Sequence, residues 1–313
     1  MSRLNSRMHP LLNSNVVDSL YAKNIYSVLN FIQTEIKLIA AITNLQYKDI
    51  LGIRQHLINK HSAITRNGFN YYNELVANSV LFPTGITSLD AILLGGLSTG
   101  TIYEICGLPS TGKTQFNLTL TKNVLQTSNT NVYYIDTKKD FSAKRLKAML
   151  DDTGQQVNYE KIMSRVFIKQ IFTVYDLVNT LYEIKSLLSS KKLRARLIII
   201  DSLPPLFYSI SNFSERYSLI NSMVNIMQVL AKEFHTVIVV TNITTMWYDN
   251  YGVENRITEK VSLGKYWFNI PNTRLMIKKS VAGTSDYLIT IVKSNRLLEG
   301  SECVVKLTES GIV

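Results

Sequence analysis

The stretch GLPSTGKT, at positions 107–114, decides the fold of this chain. It matches the pattern G-x-x-x-x-G-K-[ST], follows the apolar run TIYEIC and opens the helical pattern KTQFNLTLTKNVL. In that context the backbone N–H groups of residues 110–114 and the positive end of the helix dipole face a phosphate group. The sequence therefore predicts a phosphate-binding loop between a strand and a helix of an α/β fold.

The residue types of this loop fit individual roles. Gly107 and Gly112 allow a tight turn and a close backbone approach. Lys113 is expected to reach the β- and γ-phosphates and the Thr114 hydroxyl to ligate Mg²⁺, so the predicted cofactors are ATP and Mg²⁺. The predicted nucleotide-binding residues of the loop are Gly107, Leu108, Pro109, Ser110, Thr111, Gly112, Lys113, Thr114 and Gln115.

The second part of the predicted site is the run LIIID, at positions 197–201. An apolar strand that ends in a carboxylate, downstream of a phosphate-binding loop, is typical of a residue that holds the metal. On its own Asp201 would be better explained as a cap on the strand end, because DSLPP resembles a turn. Together with the loop it predicts that Asp201 and Thr114 hold Mg²⁺.

The spacing of apolar residues divides the chain into three regions. Positions 1–65 predict a small helical domain, which is either a plain bundle or a module for the DNA backbone. Positions 66–83 carry Asn, Gly and Pro and predict a linker with one short helix. Positions 84–313 alternate apolar runs with helical stretches, which predicts a mostly parallel sheet.

Within the third region the elements can be placed. The predicted strands are 102–106, 132–136, 166–170, 197–201 and 237–241. The predicted helices are 113–127, 142–151, 174–189 and 215–234. The last three apolar runs, TRLMIKK, DYLITIVK and ECVVKL, predict antiparallel strands that extend the sheet.

Charge and cysteine content limit the partners and the compartment. The net charge of +11 favours an acidic partner such as nucleic acid, although a generally basic protein has the same balance. The densest basic run, KKLRAR at 191–196, fits a solvated turn better than a DNA patch. Cys106 and Cys303 lack metal or disulfide spacing, which suits a reducing compartment. The apolar runs are too short to span a bilayer, so we expect no membrane partner.

Four separated motifs resemble the RecA/RadA recombinase family over about residues 80–310: TGITSLDAILLGGLSTGTIYEICGLPSTGKTQFNL, VYYIDTKKDFSAKRL, LIIIDS and VIVVTN. Within this family, three stretches are most similar to the eukaryotic recombinase paralogue lettered D: YYNELVANSVLFPTGITSLDAIL, LGKYWFNIPNTRLMI and IVKSNRL. The resemblance implies a RecA-like P-loop ATPase core and a nuclear accessory factor for homologous-recombination DNA repair. It also implies a heteromeric complex with other recombinase paralogues, in which the linker aromatics Phe69, Tyr71 and Tyr72 are possible anchors. Meiotic and somatic roles both stay open.

Two departures from the family pattern bear on catalysis. Active members carry Glu after Y-I-D-T and Gln after V-x-T-N, whereas this chain carries Lys138 and Ile243. An ammonium cannot accept a proton and Ile243 has no polar side-chain atom, so we assign no catalytic residue. Asp140 could substitute only if the turn were changed. The sequence thus favours ATP binding with weak or absent hydrolysis over an active DNA-dependent strand-exchange ATPase, a non-enzymatic adaptor with a vestigial loop, or, more distantly, a P-loop kinase.

The resemblance also indicates two DNA-facing loops, one after the strand that ends in Asp201, with the sequence LPPLFYSISNFSERYS, and one after Asn242. The long loop after Asn242 interleaves aromatic and basic residues, a combination suited to single-stranded or branched DNA, and the predicted contacts are Trp247, Arg256 and Lys260. A partner-facing or locally packed loop is the alternative, and for Trp267 we favour packing in the core. Arg145 lies where the family contacts the adenine, and it fits a solvated helix arginine equally well.

Overall fold

In the computed structural model the chain separates into two compact units, Met1–Leu75 and Val76–Val313. The structure describes residues 3–61, 65, 67–151, 159–192, 194–249, 256–280 and 286–313, without the side chains of 247–249 and 256–258. The smaller unit buries one apolar core and the larger unit buries two.

The helices and strands are numbered in chain order. The helices are α1 (Ser14–Tyr21), α2 (Val28–Gln33), α3 (Ile36–Thr43), α4 (Tyr47–His61), α5 (Gly68–Asn78), α6 (Thr87–Ile92), α7 (Lys113–Thr127), α8 (Ala143–Asp151), α9 (Tyr159–Met163), α10 (Val174–Ser189), α11 (Phe213–Phe234) and α12 (Gly264–Phe268), with a 3₁₀ turn at Pro204–Phe207. The strands are β1 (Leu81–Phe82), β2 (Leu97–Ser98), β3 (Ile102–Cys106), β4 (Asn131–Asp136), β5 (Val166–Gln170), β6 (Ala195–Asp201), β7 (Val237–Thr241), β8 (Thr244–Asp249), β9 (Arg256–Val261), β10 (Thr273–Lys279), β11 (Asp286–Ser294), β12 (Glu302–Thr308) and β13 (Gly311–Ile312).

Helices α1–α4 form the core of the smaller unit. Short polar side chains set their starts: Asn13 Oδ1 accepts the N–H of Val16 at 2.9 Å, and Ser27 and Asn30 form a capping box. The apolar positions at three- and four-residue spacing meet in one core, which includes Leu20, Phe31, Ile39, Ile50, Ile53 and Leu57. This confirms the predicted small helical domain. Helix α5 follows and has no buried side chain.

Nine strands form the main sheet in the order β13-β12-β11-β10-β3-β7-β6-β4-β5. The pairs from β10 through β3, β7, β6 and β4 to β5 are parallel, and those from β10 through β11 and β12 to β13 are antiparallel. The mostly parallel sheet with antiparallel C-terminal strands is therefore confirmed. One detail differs: β10, predicted among the antiparallel strands, also pairs in parallel with β3 and so joins the two parts.

Both faces of the sheet are covered by helices. Along β6, Leu197 and Ile199 belong to the core that α7 and α8 cover, while Ile198 and Ile200 belong to the core that α10 and α11 cover. A strand buried on both faces needs an uninterrupted apolar run, which is why LIII precedes Asp201. The carboxyl ends of β3, β4, β6 and β7 meet at one edge of the sheet, and this edge positions the candidate site.

The predicted element bounds agree closely with the structure, with one exception. The predicted strands at 102–106, 166–170 and 237–241 and the helices at 113–127 and 174–189 coincide with β3, β5, β7, α7 and α10. The exception is the segment after Asn242, which we predicted as a long loop. There β8 and β9 pair as an antiparallel hairpin, and their runs TTMWYD and RITEKV contain Thr, Trp, Tyr, Ile and Val, residue types that are enriched in strands.

Candidate nucleotide site and DNA-facing hairpin

The phosphate-binding loop lies between β3 and α7, as predicted. Gly107 accepts no side chain: a Cβ there would lie 2.3 Å from the carbonyl oxygen of Ile277 on β10 and 2.9 Å from Thr111 Oγ1. Gly112 precedes the helix with φ +86°, in the left-handed region that glycine favours. Both glycines thus let the loop backbone curve tightly against the sheet edge.

A cavity of about 620 Å³ opens beside the loop. Its lining residues are Pro109, Ser110, Thr111, Gly112, Lys113, Thr114, Gln115, Lys138, Asp140, Ser202, Pro205, Tyr208, Ile243 and Leu307. Seven of the nine predicted loop residues are in this lining. The other two, Gly107 and Leu108, contribute carbonyl oxygens that accept hydrogen bonds from Lys113. The cavity and the loop together fit a nucleoside triphosphate.

Lys113 is held by the loop itself. Its Nζ donates to the carbonyl oxygens of Gly107 and Leu108 at 2.9 and 2.6 Å and lies 3.2 Å from Thr111 Oγ1. Burial, and secondly the positive charge of Lys138, lower the Lys113 pKa to about 8. Near neutral pH the ammonium form therefore still dominates, and it lies at the cavity wall where a phosphate would bind.

Asp201 ends β6 and is oriented by two hydroxyl groups. Tyr134 on β4 donates its O–H to Oδ2 at 2.8 Å, and Thr241 on β7 donates to Oδ1 at 2.6 Å. Burial and the Asp201 carboxylate raise the Tyr134 pKa well above its ordinary value, so the phenol stays a donor. Each carboxylate oxygen keeps a lone pair for a further donor or a metal-bound water. The adjacent Ser202 and the predicted metal ligand Thr114 both line the cavity.

A short turn after β4 carries the residue that replaces the expected Glu. The buried Asp136 carboxylate accepts the backbone N–H groups of Lys138, Asp140 and Phe141 at 3.1, 3.2 and 3.1 Å. Residue Lys139 within the turn has φ +63°. This anchoring fixes the backbone on both sides of Lys138 and directs Lys138 and Asp140 into the cavity lining.

Lys138 and Asp140 form an ion pair inside the cavity lining, with Nζ 2.9 Å from Oδ2. Burial lowers the Lys138 pKa, but the hydrogen bond to Asp140 and the charges of Asp201, Asp140 and Asp136 outweigh it, so the net pKa is raised. Lys138 is therefore a cation at neutral pH. The Asp140 carboxylate lines the same cavity, but its partner there is Lys138.

Ile243 lines the cavity, whereas Arg145 is not among the lining residues. Arg145 Nε donates to Gln115 Oε1 at 3.1 Å, and its Nη2 donates to the carbonyl oxygen of Thr308 at 2.8 Å. These bonds attach α8 to the loop helix α7 and to the end of β12. Contact of Arg145 with an adenine stays a prediction.

The hairpin β8–β9 begins directly at the phosphate-binding loop. The N–H of Thr244 donates to the carbonyl oxygen of Gly107 at 3.3 Å, and the N–H of Ser262 donates to that of Ile243 at 3.0 Å. Of the predicted DNA contacts, Lys260 is exposed on β9, while the side chains of Trp247 and Arg256 lie outside the described residues, as do Tyr251 and the rest of 250–255.

Both predicted DNA-facing loops line one cleft of about 340 Å³. The loop after β6 contributes Pro204, Phe207 and Tyr208, and the hairpin contributes Thr245 and Lys260. The structure therefore brings together two segments that lie about 40 residues apart in the sequence.

Sequence reasoning missed a buried polar network beneath the loop. Glu104 on β3 accepts the Asn242 amide and the Trp267 indole N–H, both at 2.6 Å, and forms an ion pair with the Nε of Arg274. Glu104, Trp267 and Arg274 are each at most 1% exposed. The signal that could have revealed it is the lone carboxylate inside the apolar run TIYEIC. The expected core position of Trp267 is confirmed.

Comparison with known proteins agrees with this geometry. The Rad51 family model matches residues 76–313, and the model named RAD51D, N-terminal domain, matches residues 1–59. DNA repair protein RAD51 homolog 4 of Mus musculus is 26% identical over 322 residues, covering 99% of this chain and 96% of that protein. DNA repair and recombination protein RadB of Archaeoglobus fulgidus is 26% identical, covering 74% of this chain and 98% of that protein.

A solved structure shows the same fold. The crystal structure of the RadB recombinase superposes with a TM-score of 0.61 at 21% identity, covering 74% of this chain and 98% of that chain. It confirms the RecA-like architecture of the core. The predicted relationship to the paralogue lettered D is confirmed by the N-terminal match and by the relatives named homolog 4. The chain therefore belongs to the Rad51 family and carries the N-terminal domain of its RAD51D branch.

Proposed function

We propose that this chain is an ATP-binding recombinase paralogue that assists homologous-recombination DNA repair in the nucleus, within a heteromeric complex. In this proposal bound Mg-ATP stabilises one conformation of the loop and the hairpin and is hydrolysed weakly or not at all. One observation carries it: the phosphate cradle is complete, while the place of the catalytic Glu holds the ion pair of Lys138 and Asp140.

The residues for nucleotide binding fit Mg-ATP. Gly107 leaves no room for a Cβ, the backbone of residues 110–114 lines the cavity, and Lys113 supplies a cation. Thr114 and Asp201 are the groups that would hold the metal, directly or through water, and Mg²⁺ would neutralise charge on the phosphates. Tyr134 and Thr241 keep the Asp201 carboxylate oriented towards that task.

The residues for hydrolysis do not fit. A water that attacks the γ-phosphate needs a group that accepts its proton or orients it. Lys138 is a cation that can do neither, and Ile243 offers no hydrogen bond. Asp140 has a carboxylate and lines the cavity, but its Oδ2 is held in an ion pair with the Lys138 ammonium, 2.9 Å away. We infer that Lys138 contributes to holding the γ-phosphate instead.

The test is ATP binding and turnover by the purified chain, with and without single-stranded DNA, beside Lys113→Ala. We expect Mg²⁺-dependent binding that Lys113→Ala abolishes, and negligible turnover under both conditions. DNA-stimulated turnover that is lost in Asp140→Asn would instead make this an active ATPase with Asp140 as its base. A folded chain that binds no ATP would favour an adaptor with a vestigial loop.

For DNA, the cleft between the loop after β6 and the hairpin supports binding of single-stranded or branched DNA. Tyr208 is 65% exposed and lines the same cleft as Lys260, so one cleft carries both an aromatic ring and a cation. Tyr208→Ala is expected to weaken single-strand affinity, with Tyr182→Ala on α10 as a control, since Tyr182 is also exposed and is not in this cleft. Equal effects of the two substitutions would contradict the assignment.

For partners, exposed aromatic side chains support two contact regions. Phe69 and Tyr72 on α5 are 71% and 62% exposed, and Phe167 on the edge strand β5 is 41% exposed. Exposed apolar groups of this size often anchor protein interfaces. We expect Phe69→Ala with Tyr72→Ala to reduce co-purification with a fellow paralogue, while ATP binding is unchanged. Co-purification at the wild-type level would remove α5 from the interface.

A further inference from the structure

Two adjoining clefts lie where the parallel strands of the main sheet begin. One has a volume of about 440 Å³ and the other about 370 Å³, and Asn129 lines both. Their basic lining residues are Lys161, Arg165, Lys191, Arg194 and Arg196. Among the lining residues described there is no Asp or Glu. The concavity is therefore strongly positive, and it includes most of the basic run KKLRAR.

This surface lies far from the nucleotide site. Asn131, Val166 and Ala195 begin β4, β5 and β6 beside the clefts, while the phosphate-binding loop follows the carboxyl end of β3. Parallel strands share their amino ends at one edge of a sheet, and a strand of this length spans about 20 Å at 3.3 Å per residue. The clefts thus open at the edge opposite the ATP cavity, and the positive charge there has no part in binding the nucleotide.

Helix ends account for two of the five cations. Helices α7, α10 and α11 end at this edge, and the carbonyl end of a helix attracts positive charge. The Arg165 guanidinium donates to the carbonyl oxygens of Leu125 and Ser128 at the end of α7. Arg196 Nη1 donates to the carbonyl oxygen of Asn78, the last residue of α5, at 3.0 Å. These two guanidinium groups form a fixed, positively charged floor.

The residues at the rim are placed differently. Arg194 is exposed. Its backbone carbonyl oxygen, not its side chain, accepts the N–H of Asn131 at 3.0 Å and the hydroxyl of Thr130 at 3.1 Å. Lys191 and Lys192 are exposed as well. Lys191 has φ +55° at the end of α10, where the N–H of Lys192 bonds to the carbonyl of Leu187. That helix-ending geometry favours glycine, so a lysine is not required there by the fold.

We propose that this surface, the basic edge (Lys161, Arg165, Lys191, Lys192, Arg194 and Arg196), binds the phosphate backbone of duplex DNA without reading its sequence. Guanidinium and ammonium groups suit phosphate, and the described lining residues of both clefts include no acidic side chain. The apolar lining side chains, such as Phe234 and Leu188, are at least half-buried, so the clefts offer neither an aromatic surface for stacking single-stranded bases nor an anchor for a protein. The inference rests on the proposed role in DNA repair and adds a second DNA contact to it.

The test uses the full chain without nucleotide and measures its affinity for a short DNA duplex over a range of salt concentrations. In the variant Lys191→Gly with Arg194→Gln we expect weaker binding and a log–log salt slope that is shallower by about 0.9 for each lost phosphate contact. Lys191→Gly alone should not lower the thermal midpoint, because glycine suits the left-handed position. The charge-matched control is Lys37→Gln with Lys48→Gln, two exposed lysines of the N-terminal unit, and it should leave the slope unchanged.

Two results would overturn the proposal. The first is wild-type duplex affinity and salt slope in the basic-edge variant. That result would mean that these cations stabilise the helix ends and do not contact DNA. The second is unchanged duplex binding with lost binding of a polyglutamate peptide, which would make the partner an acidic protein. ATP binding measured in the same variants distinguishes this proposal from the proposed function. Duplex binding at the basic edge can be absent while Lys113-dependent ATP binding is present, and ATP binding can be absent while duplex binding is present.

Discussion

Lys138 changes what the site can do through one side chain. Its turn is anchored by Asp136, so the substitution replaces the chemistry at that place while the backbone hydrogen bonds of the turn are kept. The result is a cavity with two ammonium groups, Lys113 and Lys138, where a triphosphate would carry its highest charge density. Charge of this kind favours the triphosphate over the diphosphate.

We predict that Lys138→Met lowers ATP affinity by about tenfold, or roughly 1.4 kcal/mol, and changes ADP affinity less. The reason is that the lost charge faces the terminal phosphate. Titration of a fluorescent ATP analogue, with ADP in competition, measures both constants. Lys139→Met is the matched control, because Lys139 is not among the residues that line the cavity. Its Nζ lies 5.1 Å from the centroid of the Phe172 ring instead. Equal losses for ATP and ADP would contradict a γ-phosphate contact.

Lys113 makes ATP binding sensitive to pH. Its pKa is lowered to about 8 in the free protein, so the ammonium that binds phosphate is progressively lost as the pH rises through that value. We predict that ATP affinity is nearly constant below about pH 7 and falls by up to tenfold per unit above about pH 8. Affinity measured across this range in Lys113→Arg, which does not titrate there, should stay flat. The same fall in Lys113→Arg would assign the effect to another group.

That lowered pKa also has a consequence for folding. Between about 8 and the unfolded value of 10.5 the unfolded chain binds more protons at Lys113 than the folded chain does. The contribution of this group to stability therefore rises with pH through that window.

At the scale of elements, Glu104 joins β3 to the residues that flank the hairpin. Asn242 precedes β8, and Trp267 lies in α12 after β9, so one carboxylate binds both flanks. Gly107, three residues after Glu104, accepts the first N–H of β8. The strand that carries the phosphate-binding loop is thus attached to the hairpin by buried polar contacts at several points.

We predict that Arg274→Met lowers the free energy of unfolding by about 3–5 kcal/mol, because it leaves the Glu104 charge buried and unpaired. The double variant Arg274→Met with Glu104→Gln should recover part of that loss, since the buried charge is then absent. Denaturant unfolding of the wild type, both single variants and the double variant measures the coupling. A double variant as unstable as the sum of the singles would show that the pair is not coupled.

The sequence predicted most elements, and the reasons are local. Runs such as LIII, buried on both faces, and the helical spacing in α7 and α10 are each contained in fewer than 20 residues. The hairpin β8–β9 was missed, because its two short strands lie in a segment rich in polar residues that also fits a loop. In the site, the loop was readable as a motif. The network of Tyr134, Asp201 and Thr241 was not, because it joins three strands that are far apart in the sequence.

At the scale of the whole molecule, the chain forms two units with separate apolar cores. The larger unit, Val76–Val313, holds the candidate nucleotide cavity, the cleft proposed to bind DNA and the basic edge. The described helices include none that is long and apolar enough to cross a membrane. A ligand that binds one unit stabilises that unit, and it stabilises the other only through coupling between them.

We predict that saturating Mg-ATP raises the unfolding midpoint of the larger unit and leaves that of the smaller unit, Met1–Leu75, nearly unchanged. At 100 times the dissociation constant the stabilisation is about 2.7 kcal/mol. Scanning calorimetry resolves the two transitions, and Lys113→Ala, which should show no ATP-dependent shift, is the control. A single transition that shifts as a whole would mean that the two units unfold together.

The central claim is that this chain holds ATP without consuming it, and a single-turnover measurement tests it most directly. Excess protein is incubated with trace α-labelled ATP, Mg²⁺ and single-stranded DNA, and the bound nucleotide is extracted and identified over time. We predict that it remains ATP throughout, with Lys113→Ala retaining no nucleotide. Conversion of bound ATP to ADP at a rate that DNA accelerates, and that Asp140→Asn abolishes, would contradict the account.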